Sequence, residues 1–148
     1  MPVFRIDHVV DTFAARRGAR ELATSLGFDR RAATELAIAV SELGSNIIKY
    51  GVRGGISVEP IDDAEHGSGI CIVAADHGPP FCDFATALRD GFDDRGPLDP
   101  VTFLARHGIG AGLGAVTRFT DTITLEPSPN GKRIVVVRYL KRPGKSRR

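Results

Sequence analysis

The sequence predicts a two-layer α/β (α+β) sandwich, and three observations lead there. Apolar periodicity switches between helical and strand-like along the chain, giving the order β-α-α-β-β-α-loop-α-β-β. Neighbouring strand segments are joined by polar or Gly/Pro-rich turns, which implies antiparallel hairpins rather than crossover connections. The helical segments are grouped around the hairpins, so a helical layer on a sheet fits better than a doubly wound parallel fold.

Each element has a local reason. Residues 3–8 (VFRIDH) are short and β-prone, a first strand. From Asp11 to about Leu26, Phe13, Ala14, Leu22, Ala23 and Leu26 supply the apolar positions of a helix that Gly27 ends. Asp29 is a good N-cap for the longest helix, which runs to about Tyr50 and stops at Gly51. Within it Leu36, Val40, Leu43 and Ile47 follow a 4-3-4 spacing and form one apolar stripe. Ile56, Val58 and Ile61 then lie in a strand bounded by Gly54-Gly55 and a polar turn, Asp62–Gly69. Ile70 to Ala75 is an almost wholly apolar strand, broken by His77-Gly78-Pro79-Pro80. Residues 81–91 read as a short helix and 92–107 as a Pro/Gly/Asp-containing loop with a turn around Val101–Arg106. A helix from about Gly112 to Phe119 follows. Strands near Asp121–Glu126 and Arg133–Leu140 are joined by the hairpin turn Pro127-Ser128-Pro129-Asn130-Gly131.

Composition bounds the function. The 148 residues are 42% hydrophobic and 26% charged, the size and balance of one globular domain, here placed at residues 1–140 with a basic, mobile tail at 141–148. The net charge is +2, but residues 138–148 carry six cations and no acid, which leaves −4 for residues 1–137. A mildly acidic body does not support a nucleic-acid surface and suits a protein partner. Two cysteines, Cys71 and Cys82, make no disulfide framework, which fits a reducing cytoplasm. No apolar run approaches the roughly 20 residues of a membrane span, and no signal peptide is expected. His8, His66, His77 and His107 lack metal-ligand spacing and form no zinc pattern with the cysteines. Glycine, at 17 residues, is in surplus, so its location is informative.

Three segments can carry chemistry. On the long helix Glu42, Asn46 and Lys49 fall within roughly 60° of one another, on a stripe about 120° from the apolar one. An amide oxygen can ligate Mg²⁺, an ammonium can meet phosphate charge and a carboxylate can accept a proton. The same three residues would also suit a plain solvated helix face. Asp76 ends a buried strand before a turn that exposes backbone at Gly78, a place either for a ligand-reading carboxylate or for a self-capping turn. Third, Gly108-Ile109-Gly110-Ala111-Gly112-Leu113-Gly114 leads into a helix with free backbone N–H groups that can wrap an anion. It is not a Walker A loop, since no Lys-Ser/Thr pair follows.

Taken in order, Glu42-Leu43-Gly44-Ser45-Asn46 with Lys49, Asp76-x-Gly78 and Gly108-x-Gly110-x-Gly112-Leu113-Gly114 resemble the motifs of the gyrase–Hsp90–histidine-kinase–MutL (GHKL) ATP-binding fold. The likeness spans about residues 5–140. Within that superfamily the chain is most similar to the anti-sigma regulatory factor serine/threonine kinases (RsbT/RsbW-like), on phrases such as Ser41-Glu42-Leu43-x-x-Asn46, Arg89-Asp90-Gly91-Phe92 and Gly110-Ala111-Gly112-Leu113-Gly114. The resemblance implies a Bergerat-type fold with a mixed, mostly antiparallel sheet. It implies ATP and Mg²⁺, with Glu42 as general base, Asn46 on the metal, Lys49 near the phosphates, and Asp76 reading the adenine amino group beside Gly78. Gly108, Gly110, Gly112, Leu113 and Gly114 would close over the phosphates. It further implies a STAS-type anti-anti-sigma protein as phosphoacceptor in a stress pathway, with a sigma factor or phosphatase as further partners and a homodimer as a possible assembly. A non-catalytic nucleotide-sensing or anti-sigma docking module is the alternative. Three features depart from the family pattern: Pro80 in place of a second glycine, Lys132 in place of a threonine near the adenine, and an insertion at Asp93–His107.

Overall fold

A computed structural model describes residues 3–51, 53–78, 92–93, 96–97, 113–128 and 130–143. The element order is β1 (Val3–Ile6), α1 (Asp11–Ser25), α2 (Arg30–Tyr50), β2 (Gly54–Asp63), β3 (Gly67–Asp76), β4 (Phe92–Asp93), β5 (Gly96–Pro97), α3 (Gly114–Phe119), β6 (Thr122–Ser128) and β7 (Gly131–Tyr139). The expected helix at 81–91 and the turn at 101–106 lie outside the described residues, as do Pro80, Cys82, His107 and the end of the chain from 144.

Five strands form one sheet in the order β1-β2-β3-β7-β6. Every pairing in it is antiparallel, so the mixed sheet implied by the resemblance is antiparallel throughout among the described strands. Ile6, Ile56, Val58, Ile70, Ile72, Ala74, Ile134 and Val136 point to one face and are buried under α1 and α2. That is the two-layer sandwich. No described element covers the opposite face, where Val135 and Val137 are half-buried.

The helices follow the sequence in outline and differ in one face. Asp29 caps α2 as expected, its Oδ1 accepting from the Ala32 N–H at 2.8 Å, and Leu36, Val40, Leu43 and Ile47 are all buried. In α1 the buried residues are Thr12, Ala15, Ala19 and Ala23, whereas Phe13 is 52% exposed. A four-residue repeat of small side chains lets α1 approach its neighbours closely, so helix packing selected the alanine stripe over the larger phenylalanine. Gly27 ends α1 with φ +96°, a conformation that a side chain would strain.

The hairpins are tighter than the sequence suggests. The turn between β2 and β3 shrinks to residues 64–66, because Asp62 pairs with Ser68 and Asp63 with Gly67. Asp63 organises it, Oδ1 accepting from the N–H groups of Glu65 at 2.7 Å and His66 at 3.1 Å. The β6–β7 ladder likewise continues to Ser128 opposite Gly131. Within the expected loop, Phe92 pairs with Pro97 and Asp93 with Gly96, a hairpin too short to register as alternation.

The basic end of the chain is anchored in part. Arg138 is buried and its Nη1 donates to Glu35 Oε1 at 3.1 Å and to the Phe119 carbonyl at 3.0 Å. Arg142 donates to Asp121 Oδ1 at 2.9 Å and to the Arg118 and Thr120 carbonyls. Two of the six cations of residues 138–148, one of them in the expected tail, therefore tie β7 to α2, α3 and the start of β6.

Candidate functional site

Of the three chemistry-bearing segments, two are described in full, and of the third only Leu113 and Gly114. α2 carries Glu42, Asn46 and Lys49, α3 packs on α2, and β3 delivers Asp76 to the end where α2 stops. Glu42 is 0% exposed and Asn46 is buried, while Lys49 is exposed. The polar stripe is thus not a solvated face. It starts in the core at Glu42 and reaches solvent at Lys49, about two turns later.

Asp76 is the best-defined polar group of the site. Its Oδ1 accepts from the Gly78 N–H at 2.6 Å and from Lys132 Nζ at 3.1 Å. Both side chains of the ion pair are buried, at 4% exposure for Lys132 and 3% for Asp76. The pair follows from register, since Asp76 and Lys132 are cross-strand partners on the inward face. Two glycines make the approach possible. A Cβ on Gly131 would collide with the Asp76 carbonyl oxygen, and a Cβ on Gly51 would lie 2.7 Å from Asp76 Cγ. The α2 C-terminus, closed by the Gly51 N–H donating to the Ile47 carbonyl at 2.8 Å, thereby sits directly against the carboxylate. His77 Nδ1, 3.3 Å from the Asn130 carbonyl, links the same strand ends from outside.

Where the family pattern has a threonine, Lys132 puts an ammonium on the Asp76 carboxylate. A signal for it exists. Lys132, Ile134, Val136 and Arg138 alternate inward along β7, and a lysine at an inward position needs a buried partner. Gly51 and Gly131, read only as helix stop and turn, have the additional task of admitting Asp76.

The glycine run divides. Gly108, Gly110 and Gly112 lie outside the described residues. Leu113 is the N-cap residue of α3 and its side chain belongs to the hydrophobic core, and Gly114 is buried at the first helical position. Leu113 therefore anchors the end of the run by packing. Among the described residues no group of three or more His, Cys, Asp or Glu side chains is placed to hold a metal, so any Mg²⁺ would depend on the Asn46 oxygen together with ligand oxygens. A buried neutral amide beside a buried carboxylate on one helix face suits that division.

A cavity of about 760 Å³ opens at the same end of the sheet, and Asp76 and Lys132 reach its wall. Arg5 and Arg133, which also line it, alternate outward from inward-facing neighbours and so belong to the uncovered face.

A family model for the histidine kinase-like ATPase domain matches residues 8–138. The chain belongs to that family. It is also 33% identical over 132 residues to the serine/threonine-protein kinase RsbT of Bacillus subtilis (strain 168), covering 88% of this chain and 90% of the relative. Membership in the histidine kinase-like ATPase family gives the described geometry its frame, since the α/β sandwich and its motif-bearing elements occur in the expected order. No described helix is long and apolar enough to cross a membrane.

Proposed function

We propose that this chain is an ATP-dependent protein serine/threonine kinase of a cytoplasmic partner-switching module, phosphorylating a STAS-type anti-anti-sigma protein and so regulating sigma-factor-dependent stress transcription. The observation that supports it most directly is the burial of Glu42 and Asn46 on α2, in a chain related along most of its length to a serine/threonine kinase. Burying a carboxylate and an amide one turn apart costs stability unless both are partnered, a cost that a ligand site accounts for.

On this reading Asp76 accepts from the adenine amino group, with Gly78 giving the base room. Asn46 ligates Mg²⁺ through its amide oxygen, and Lys49 meets phosphate charge at the helix end. The ion, when bound, neutralises charge on the phosphates. Gly108, Gly110, Gly112 and Gly114 contribute backbone N–H groups to the phosphates, held in place by Leu113 in the core. The acceptor serine or threonine hydroxyl attacks the γ-phosphorus, the bond to the β–γ bridging oxygen breaks, ADP leaves and the hydroxyl proton passes to Glu42. The test is phosphate transfer from ATP to a purified STAS-domain protein. Wild type should label it and Glu42→Ala should not; equal labelling by both would remove Glu42 from the role.

A second reading is a docking or nucleotide-sensing module without transfer, and the Lys132 ammonium on Asp76 favours it by occupying part of the base-reading carboxylate. Calorimetry separates the two: Mg²⁺-dependent ATP binding supports the kinase, and its absence supports the docking module.

A further inference from the structure

The Asp76 carboxylate is clamped on one oxygen. Oδ1 takes two donors, the Gly78 N–H at 2.6 Å and Lys132 Nζ at 3.1 Å. A carboxylate oxygen offers about two lone-pair sites, so a further donor must go to Oδ2. Gly51 admits Oδ2 by lacking a Cβ that would stand 2.8 Å from it, and among the described residues no donor reaches that oxygen. Lys132 cannot substitute for the carboxylate, because an ammonium donates and never accepts.

We propose that Lys132 is a specificity-determining positioning residue: by fixing Oδ1 it leaves Oδ2 as an acceptor of set direction, and the Asp76–Lys132 pair selects a 6-aminopurine nucleotide over a 6-oxopurine one. This rests on the nucleotide reading above. A 6-amino group donates to Oδ2, whereas a 6-oxo group turns a lone pair toward it and is rejected. Without the ammonium the carboxyl is buried with no compensating charge. With only the Gly78 N–H still holding Oδ1, it is free to turn about χ2, and a carboxylate without a set direction tolerates an oxo group. Selectivity, more than affinity, is the property that Lys132 controls.

The experiment is calorimetric titration of ATP and ITP, which share a triphosphate and differ at position 6 of the base. It is run on the full-length wild type and on Lys132→Met, Lys132→Thr and Lys132→Arg. The ratio of the two dissociation constants is read within one preparation, so a partly unfolded fraction lowers the active concentration without moving the ratio. Wild type should prefer ATP by about 30-fold or more, a hydrogen-bonding site rejecting an analogue that lacks the donor. Lys132→Met and Lys132→Thr should fall to within about threefold, and Lys132→Arg, which keeps a charged donor, should retain most of the preference. A wild-type ratio near one, or a ratio unchanged in the Met and Thr variants, overturns the proposal while leaving ATP binding in place. No binding of either nucleotide to wild type overturns the nucleotide reading itself, and this inference with it.

Discussion

Gly51 ends α2 in direct contact with the carboxylate of Asp76, where an added Cβ would stand 2.7 Å from Cγ and 2.8 Å from Oδ2. Its φ of −100° is open to any residue, so space, and not backbone conformation, demands glycine here. Gly51→Ala is expected to destabilise by about 1–3 kcal/mol through overpacking, and to weaken ATP binding because the displaced group is Asp76. Gly67→Ala is the control. That glycine has φ +81° and nothing within 4 Å of the new Cβ, so it should cost about 1 kcal/mol of backbone strain and leave ATP affinity alone. Urea denaturation and ATP calorimetry on both variants check the contrast.

Asn46 offers a different kind of test, because its amide is buried but uncharged. On the proposed role, Asn46→Ala removes an oxygen that serves the metal and not the base. ATP affinity in Mg²⁺ should drop about tenfold or more, which is 1.4 kcal/mol per factor of ten. Affinity measured in EDTA should stay within about twofold of wild type. An equal loss in both buffers would assign Asn46 to packing.

The parts of this fold that could be read in the sequence are those set by local period and caps. The α2 stripe of Leu36, Val40, Leu43 and Ile47, its Asp29 cap and the paired hairpins need no knowledge of distant residues. The parts that could not be read are cross-chain. Whether α1 buries Phe13 or its alanines depends on how near the neighbouring elements come. The role of Lys132 depends on register across 56 positions of chain, which a family pattern with a different residue there cannot supply. Glu42 and Asn46 were legible as a stripe, but their burial follows only from how α2 lies against the sheet and α3.

The Arg138–Glu35 pair shows how the basic end contributes to stability. Arg138 is buried, Glu35 is 18% exposed in its side chain, and Arg31 stands 3.6 Å from the other Glu35 oxygen. Arg138→Met strands a largely buried carboxylate and frees the Phe119 carbonyl. The expected cost is about 2–3 kcal/mol, below the usual figure for a fully buried pair because Arg31 and solvent still reach Glu35. Replacing both partners, Arg138→Met with Glu35→Leu, should recover much of that loss, since no unpaired charge is left. A double-mutant cycle in urea measures it. Equal stability of the single and double variants would mean that the cost is lost packing alone.

Asp63 links the β2–β3 turn to the far end of β7 and sets a pH dependence of known sign. The N–H groups of Glu65 and His66, followed by the Tyr139 hydroxyl at 3.2 Å, hold its carboxyl below the ordinary aspartate range. A depressed folded-state value means that the unfolded chain takes up the proton first as pH falls. The stabilisation from this carboxylate is therefore complete above the unfolded value, near pH 4, and is lost as pH drops through the lower folded value. Asp63→Asn should melt below wild type at pH 7, and the two melting curves should converge as pH falls through the depressed folded-state value. Thermal unfolding by circular dichroism between pH 2.5 and 7 reads this directly. A gap that stays constant over the whole range would show that the turn needs only a neutral acceptor at position 63.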